Sequence, residues 1–422
     1  IGMTVRVQHY LFFGATCLTI FWLIYQGYSP AYRVHLQTDV VVFSQRALPF
    51  LAENRWAADD VNEYQPGALW WFVFMGYMSA SAGEFNSYLT TTVLFNAALL
   101  ALHVWLMWRW SGGTGAFIMI LLALAAGPLL LYRFELIVSL LTLLAWRLLM
   151  TKRLRLAAGL LGLATAIKIY PVILLPFVLL SEWRQRGAKR AAAALLVFAG
   201  AVATPVIAVL ATGETLHDLY TALQFHHHKP IGLGGMWGNI VVLLYDFLDT
   251  PLQITAGYGV TGLTSTIWPL TNNLLNYTLL FPLLIFLGWV VYSTRRRPSS
   301  FIGEPLMFLT ILLLFIFLGK VLNPQYLWWP FVFIPLAYQR ISSREIAGTI
   351  TVLAIGSLLV TRLIYPLHYD EFLQVFLERS RDHWLWYAIL LRNGMLLAMT
   401  VLSLWCLVPE GNRKTVSSVY NR

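Results

Sequence analysis

One acidic residue stands out near the start of the chain because its neighbours are largely apolar. Asp39 follows Thr38 directly. Apolar residues recur after it at helical spacing, at Val40, Phe43, Ala47, Phe50 and Leu51. This spacing predicts a helix that begins with Thr38 as its N-cap and lies along a membrane surface without crossing it. Asp39 would then lie in the first turn, at the boundary between lipid headgroups and water, where it either has a functional role or merely complements the helix dipole.

More acidic residues close the same polar segment. Asp59, Asp60 and Glu63 precede Tyr64, which opens the next apolar run with a Gln-Pro pair. A solvated acidic turn is the simplest interpretation, and we prefer it for Asp59 and Asp60. The roles of Glu63 and Tyr64 stay open at this point.

A second polar cluster separates two apolar runs. Arg133 and Glu135 lie there in the sequence Tyr132-Arg133-Phe134-Glu135. Charges at such a place are costly unless they are paired or face a water-filled cavity, which makes them candidates for function. An Arg133–Glu135 ion pair with a purely structural role is the alternative.

A lysine interrupts a further long apolar stretch. Lys168 begins the sequence Lys168-Ile169-Tyr170-Pro171, and the proline breaks the helix at that place. Between two helix fragments, its ammonium group could neutralise a phosphate as a compact point charge. The alternative is a side chain that extends along apolar surface to reach water, and Pro171 makes that less favourable.

Three adjacent histidines occupy a long polar segment that we predict to be a loop. His226, His227 and His228 are followed directly by Lys229. Neighbouring side chains cannot all converge on one ion, so the run does not predict a zinc site. Contact of one histidine, or of Lys229, with an anionic group is the better hypothesis, and plain exposure to solvent is the alternative.

Amides and tryptophans meet in a late polar turn. The segment runs Asn323-Pro324-Gln325-Tyr326-Leu327-Trp328-Trp329 between two apolar runs. The amide side chains could hydrogen-bond sugar hydroxyls. The tryptophans could stack on a sugar face, although anchoring at the membrane interface is their commoner use.

Membrane helices are needed to position these residues. Hydrophobic residues make up 59% of the 422 positions and charged residues only 11%, a balance that a water-soluble core could not accommodate. The apolar runs lack inside/outside alternation, which favours helices over a barrel. We predict an all-α polytopic transmembrane protein with about 11 to 13 hydrophobic segments, in one domain over residues 1–422.

The predicted helices vary in length. They are Tyr10–Gln26, Gly67–Ser81, Asn86–Trp108, Ala116–Leu131, Leu136–Met150, Leu156–Ile167, Val172–Leu180, Ala191–Ala211, Asn273–Tyr292, Pro305–Leu318, Tyr326–Tyr338, Ile346–Thr361 and Trp384–Leu407. Several fall short of a full span of about 20 residues. We therefore expect at least one broken or partial helix that is buried in protein.

Basic residues set the orientation of these helices. Short connections carry Arg147, Lys152, Arg153 and Arg155, then Arg184, Arg186, Lys189 and Arg190. The positive-inside rule places these connections in the cytoplasm, and the polar clusters described above therefore lie outside it. The 29 basic residues exceed the 19 acidic ones, giving a charge of +10, and these connections explain the excess without any nucleic acid.

Taken together, the motifs resemble those of the GT-C superfamily of polytopic glycosyltransferases. The likeness is closest to glycosyltransferase family 87 and to the first mannosyltransferase of glycolipid-anchor synthesis. The matching motifs are Thr38-Asp39, Tyr64-Gln65-Pro66, Lys168-Ile169-Tyr170-Pro171 and Asn323-Pro324-Gln325-Tyr326-Leu327-Trp328-Trp329.

The resemblance implies an activity and a set of roles. A sugar, with mannose the first choice, would pass from a polyprenyl-phosphate donor to a lipid or glycan acceptor outside the cytoplasm, in a bacterial plasma membrane. Asp39 would be the general base that deprotonates the acceptor hydroxyl. Lys168, with Arg133 or a histidine of residues 226–228, would clamp the donor phosphate. Candidates for binding the sugar or the acceptor are Tyr64, Glu135, Tyr170, Asn323, Gln325 and Tyr326.

This chemistry needs few parts. The leaving group of such a donor is already anionic, so a base and a basic clamp suffice, and we expect no metal and no other cofactor. A single carboxylate predicts in-line displacement with inversion at the anomeric carbon. Membrane lipids are the expected partners besides the substrates, and we expect a monomer.

Other classes of membrane protein remain open. A transporter or lipid flippase would also hold ionisable groups beside a cavity, but transporters tend to show related halves that meet near mid-membrane. A membrane acyltransferase that uses one of the histidines is less favoured because we place them in a loop. A structural subunit would be favoured if Asp39 proved dispensable.

Overall fold

The computed structural model describes most of the chain as helices. It covers residues 5–56, 63–79, 84–247, 253–257, 260–264, 275, 280–294, 302–378, 380 and 382–408. Up to residue 211 the helices are α1 (Val5–Gly27), α2 (Pro30–Glu53), α3 (Pro66–Tyr77), α4 (Phe85–Ala126), α5 (Glu135–Met150), α6 (Leu154–Ile167), α7 (Leu175–Arg186) and α8 (Ala188–Ala211). Asp59 and Asp60 lie outside the described residues.

The second half adds shorter elements. Its helices are α9 (Leu216–His228), α10 (Met236–Phe247), α11 (Leu280–Thr294), α12 (Pro305–Leu318), α13 (Trp328–Phe331), α14 (Ile334–Tyr338), α15 (Arg344–Arg362), α16 (Tyr369–Leu377) and α17 (Trp384–Leu407). Three short strands, β1 (Ile231–Gly232), β2 (Gln253–Gly257) and β3 (Val260–Thr264), form an antiparallel sheet in the order β1-β3-β2. The sequence did not predict this small sheet, because its strands are too short to show a period.

The helices confirm the prediction of an all-α polytopic membrane protein. Among the described residues, five stretches are long and apolar enough to cross a bilayer: Tyr10–Gly27, Phe85–Leu131, Ala188–Ala211, Arg344–Leu367 and Trp384–Leu407. Shorter apolar helices are Leu154–Ile167, Phe281–Ser293 and Pro305–Leu318.

The amphipathic helix predicted around Asp39 exists, but it begins earlier than predicted. Pro30 opens α2 after Ser29, and proline suits the first helical position because it has no N–H to leave unpaired. Thr38 instead donates its hydroxyl to the Val34 carbonyl inside the helix. The prediction of Thr38 as N-cap is therefore wrong, and Asp39 lies too far from the helix start to complement its dipole. The predicted inner face is buried at Val40, Phe43, Ala47 and Phe50.

Two predicted helices join into α4. The predicted gap between Asn86–Trp108 and Ala116–Leu131 is helical, with a kink at Gly112, where φ is 69°. Glycine tolerates this positive φ because it has no Cβ. After Ala126 the chain tightens into a 3₁₀ turn, Gly127–Leu131, which delivers the polar segment that follows.

Broken helices occur where the sequence predicted short apolar runs. α6 ends at Ile167, and Lys168 takes an extended backbone before the 3₁₀ turn Tyr170–Leu174. A similar break, the 3₁₀ turn Pro324–Leu327, precedes α13. Both breaks expose side chains and backbone to one cavity, which is where irregular backbone is tolerated at membrane depth.

The histidine run is helical, contrary to the predicted loop. Thr215 and Asp218 cap the start of α9 reciprocally, with the Thr215 hydroxyl accepting from the Asp218 N–H and the Asp218 carboxylate accepting from the Thr215 N–H. His226, His227 and His228 form the last turn of α9. The polar composition of this segment favoured a loop in the sequence analysis. The capping box at Thr215 and Asp218 was the only local sign of a helix.

Candidate active site

A polar cavity of about 370 Å³ lies beside the middle of α2, the start of α5 and the ends of α6 and α12. Its charged lining residues are Asp39, Glu63, Arg133, Glu135, Lys168, Lys229 and Lys320. Its polar and aromatic lining residues include Tyr64, Gln65, Tyr170, Asn323, Gln325, Tyr326 and Trp329. Asp39, Tyr64, Arg133, Glu135, Lys168, Tyr170, Lys229, Asn323, Gln325 and Tyr326, which the sequence singled out, all line this one cavity.

Asp39 and Arg133 form an ion pair at the edge of the cavity. The Nη1 of Arg133 contacts the Oδ2 of Asp39, and its Nη2 donates to the Tyr365 hydroxyl at 3.0 Å. That hydroxyl donates in turn to the carbonyl of His35, one turn before Asp39 in α2, at 3.0 Å. The arginine is only 4% exposed, whereas the carboxylate is 38% exposed. The pair therefore orients the carboxylate and leaves part of it open.

The turn that carries Arg133 is held from α4. Asn96 donates from its side-chain amide to the carbonyls of Leu131 and Arg133, both at 2.9 Å. These bonds satisfy backbone groups that no helix uses. Burial alone would lower the pKa of Arg133, but the Asp39 carboxylate beside it raises that pKa above its usual range. Arg133 is therefore a permanent cation at a fixed place.

Glu135 and Lys168 form the second ion pair of the cavity. Glu135 is fully buried at the first residue of α5, where the helix dipole favours a carboxylate. The Lys168 ammonium also lies 4.7 Å from the ring centre of Phe134 and 5.2 Å from that of Trp329. The direct Arg133–Glu135 pair considered from the sequence is not formed, since each residue has another partner. A donor phosphate near Lys168 would have to compete with the Glu135 carboxylate for the positive charge of the lysine.

Lys229 and Lys320 are the other two lysines of the cavity. Lys229 is 7% exposed, lies 5.0 Å from the Phe225 ring centre and forms no ion pair with a carboxylate of the described residues. Lys320 donates to the carbonyl of His227 at 2.7 Å. Burial lowers the pKa of each lysine to about 8, and Lys229 adds to the effect on Lys320. An anion would stabilise both charged forms.

Aromatic rings form one wall of the cavity. Trp329 stacks with Tyr170, at 4.2 Å between ring centres, and with Tyr326, at 4.1 Å. Asn323 donates to the Tyr326 hydroxyl at 3.3 Å. Trp329 is 4% exposed, so little of its ring surface is open to a sugar, and sugar stacking on this residue stays a prediction.

Two of the three histidines, His227 and His228, lie outside the cavity. His227 and His228 are exposed, and neither is among the lining residues. The side chain of His226 lies outside the described part of the chain. Of the side chains that the structure describes at 227–229, only Lys229 lines the cavity, because it follows the end of α9 and turns inward.

Sequence reasoning gave no role to two charged residues of the cavity. Glu63 closes an acidic segment that reads as a solvated turn, and Lys320 precedes a motif whose amides attracted more attention. Neither carries a local signal of burial. Only contact between segments far apart in the chain could reveal them.

A second cavity of about 250 Å³ adjoins the first. The two share Asp39, Arg133, Asn323 and Gln325 as lining residues. The second cavity is further lined by polar residues including His35, Thr38, Tyr365, Tyr369 and Arg392. Asp39 thus stands at the junction of two compartments.

The chain is an integral membrane protein, because its helices are long and apolar enough to span a bilayer. Its two polar cavities adjoin each other beside these helices. Residues 63–317 match the profile of glycosyltransferase family 87, which is more than half of the 422 positions. The chain belongs to glycosyltransferase family 87 and is a glycosyltransferase, as its motifs predicted. A search of curated proteins finds no match. The matched region contains Arg133, Glu135, Lys168 and Lys229, while Asp39 and residues 323–329 lie outside it.

Proposed function

We propose that this glycosyltransferase moves a sugar, mannose in the first instance, from a polyprenyl-phosphate donor to a lipid or glycan acceptor outside the cytoplasm. The observation that carries the proposal is one half-open carboxylate, Asp39, in a cavity that also holds Lys229 and Lys320. Donor and acceptor then meet at Asp39, with the donor in the larger cavity.

The reaction follows from these groups. The acceptor oxygen bonds to the anomeric carbon from the face opposite the phosphate, and the bond from that carbon to the phosphate oxygen breaks, which inverts the configuration. The proton of the acceptor hydroxyl passes to Asp39. Polyprenyl phosphate leaves with the electron pair of the broken bond.

Asp39 is the best placed of the three carboxylates for this step. Glu135 is fully buried and bonded to Lys168, so it is not accessible to an acceptor. Arg133 fixes the orientation of Asp39 by pairing with one carboxylate oxygen, and part of the carboxylate remains exposed. Glu63 also lines the cavity and is the residue against which Asp39 must be tested.

The lysines account for the charge on the leaving group. Lys229 has no carboxylate partner among the residues that the structure describes, so its charge is available to a phosphate. Lys168 is already paired with Glu135, so it contributes less than Lys229 to binding the donor phosphate. Cations fixed where negative charge grows lower the barrier because they need no reorganisation.

Apolar residues beside these charges suit a lipid-linked donor. Phe134, Ile167, Ile169, Phe315 and Ile316 line the same cavity. Ile169 is 46% exposed, so an apolar surface continues outward from the charged floor. An isoprenoid chain could lie on that surface while its phosphate reaches the lysines.

The distribution of basic residues favours an extracytoplasmic site. α5 begins at Glu135 in the cavity and ends near Arg147, while α6 runs back from Leu154 to the cavity. The basic connection between them therefore lies about 24 Å from the cavity, at the opposite end of a 16-residue helix. Basic connections stay in the cytoplasm, which leaves the cavity on the other side.

Transfer by the purified full-length protein tests the proposal. Radiolabelled polyprenyl-phosphate mannose serves as donor, and membranes of the source cells supply the acceptor. We expect Asp39→Asn to lower transfer by about 10² to 10⁴-fold, the usual contribution of a general base. Glu63→Gln is the matched control and should retain transfer. Undiminished transfer by Asp39→Asn, or its loss in Glu63→Gln alone, rejects the assigned base.

A further inference from the structure

Arg392 lies inside a membrane-spanning helix and lines the second cavity. It follows Trp384, the start of α17, by eight residues, which is about 12 Å along the helix. Arg392 is 2% exposed. A buried arginine in a bilayer segment is costly unless it is paired or faces a polar cavity, and such residues mark functional sites.

Hydrogen bonds hold Arg392 in place without neutralising it. Its Nη2 donates to the carbonyl of Gly234 and, at 3.2 Å, to the side-chain oxygen of Asn393, which also accepts from Nε at 3.3 Å. Asn393 donates in turn to Asn239 at 2.5 Å. Within the described ranges no carboxylate pairs with Arg392, and no hydrogen bond uses its Nη1.

Two cations that line the first cavity already have a carboxylate partner from the protein. Arg133 is paired with Asp39 and Lys168 with Glu135, so each has a carboxylate from the protein. Arg392 donates only to neutral acceptors. These bonds fix its position and leave the Nη1 edge of the guanidinium without a hydrogen bond within the described residues. That arrangement is expected where a ligand supplies the negative charge.

We propose that the second cavity receives the acceptor and that Arg392 binds a phosphate group which the acceptor carries. The inference rests on the proposed function, because it assigns the compartment next to the base Asp39 to the attacking hydroxyl. The open Nη1 carries two N–H groups, which can donate to phosphate oxygens, and the guanidinium keeps its charge there. A volume of about 250 Å³ lies below the usual range for ligand pockets, so the cavity holds a small headgroup.

Binding of a short phospholipid tests this assignment without donor or transfer. The full-length protein in uncharged detergent is titrated with dihexanoylphosphatidylglycerol, and with uncharged dihexanoylglycerol for comparison. We expect Arg392→Met to weaken phosphatidylglycerol binding at least tenfold and Arg392→Lys to weaken it less. Equal competition by inorganic phosphate would identify phosphate alone as the ligand, whereas no competition would identify a lipid-borne phosphate.

Two further variants locate the binding. Arg344→Gln removes an exposed cation at the start of α15 and should bind phosphatidylglycerol as the wild type does. Lys229→Met removes a cation of the first cavity. Unchanged binding by Arg392→Met, or loss in Lys229→Met alone, overturns the proposal.

A measurement on the wild-type protein covers the case in which Arg392→Met fails to fold. Phenylglyoxal modifies accessible arginines, and mass spectrometry reports the modified fraction of Arg392. Phosphatidylglycerol should protect Arg392 at least tenfold against modification, and equal modification with and without lipid contradicts the proposal. Since no transfer is measured, phosphate binding can fail while Asp39-dependent transfer survives, and the reverse.

Discussion

Asp39 and Arg133 lie 94 positions apart in the sequence and form one ion pair at the junction of two cavities. The arginine is held by Tyr365 on its other nitrogen, and Tyr365 is bonded to the backbone of α2. Three segments therefore fix the direction of a single carboxylate.

Loss of that positioning should affect turnover more than donor binding. Arg133→Met leaves Asp39 without its partner, and misplacement of a catalytic group by about 1 Å costs about 10²-fold in rate. We expect kcat to fall by about that factor in the transfer assay. Tyr365→Phe removes only one hydroxyl and should cost about tenfold. An equal loss in both variants would point to a global defect.

Glu135→Gln should destabilise the protein because it leaves the Lys168 charge, only 17% exposed, without its carboxylate partner. Breaking a buried ion pair costs about 3 to 5 kcal/mol, which thermal unfolding in detergent should report as a lowered Tm. The double variant Glu135→Leu with Lys168→Met removes both charges and should recover most of that loss.

Glu182 supplies the matched control for this prediction. Glu182 is fully buried in α7, and its Oε1 lies 3.4 Å from the Nη1 of Arg186. The Arg186 side chain is 44% exposed, so water can hydrate its charge. Glu182→Gln should therefore cost less than Glu135→Gln. A greater loss in Glu182→Gln would contradict the importance of the cavity pair.

Binding of polyprenyl phosphate should weaken above pH 8. Burial lowers the pKa of Lys229 and Lys320 to about 8, so both are charged below that pH and neutral above it. The ligand itself keeps a constant charge there because its second pKa is about 6. Affinity measured from pH 7 to 9.5 should fall through the upper half of the range.

Lys229→Arg provides the control for the pH dependence. Arginine stays protonated throughout this range, so the variant should retain more affinity at pH 9.5 than the wild type does. The same fall in both proteins would assign the pH dependence to another group.

Gly67→Ala should disturb the contact of α3 with the end of α6. A methyl group at Gly67 would lie 2.6 Å from the carbonyl of Ala166, just before Lys168. Overpacking of this kind costs about 1 to 3 kcal/mol and should also lower transfer, because it displaces the helix that follows Tyr64. Gly200→Ala in α8 meets nothing within 4 Å and should leave Tm unchanged or slightly raised. Equal behaviour of the two variants would contradict the close contact.

The sequence motifs around Asp39, Lys168 and Asn323 predicted residues that line the cavity. The length of an apolar run predicts a membrane helix because the thickness of the bilayer sets the length that a spanning helix needs. A proline or a charge inside such a run predicts a break in the helix. Boundaries were less predictable. Thr38 has the right type for an N-cap, but Pro30 starts α2 a full two turns earlier, because buried packing continues upstream at Tyr32 and Leu36.

Residue type and spacing alone determined that this chain is a polytopic helical membrane protein with charged residues between its apolar helices. They also determined the family likeness that residues 63–317 bear out. Only the tertiary structure decided which charges pair: Asp39 with Arg133 and Glu135 with Lys168. The physical reason is that ion pairing depends on distance and burial between remote segments, and neither quantity is encoded in the local sequence around a charge.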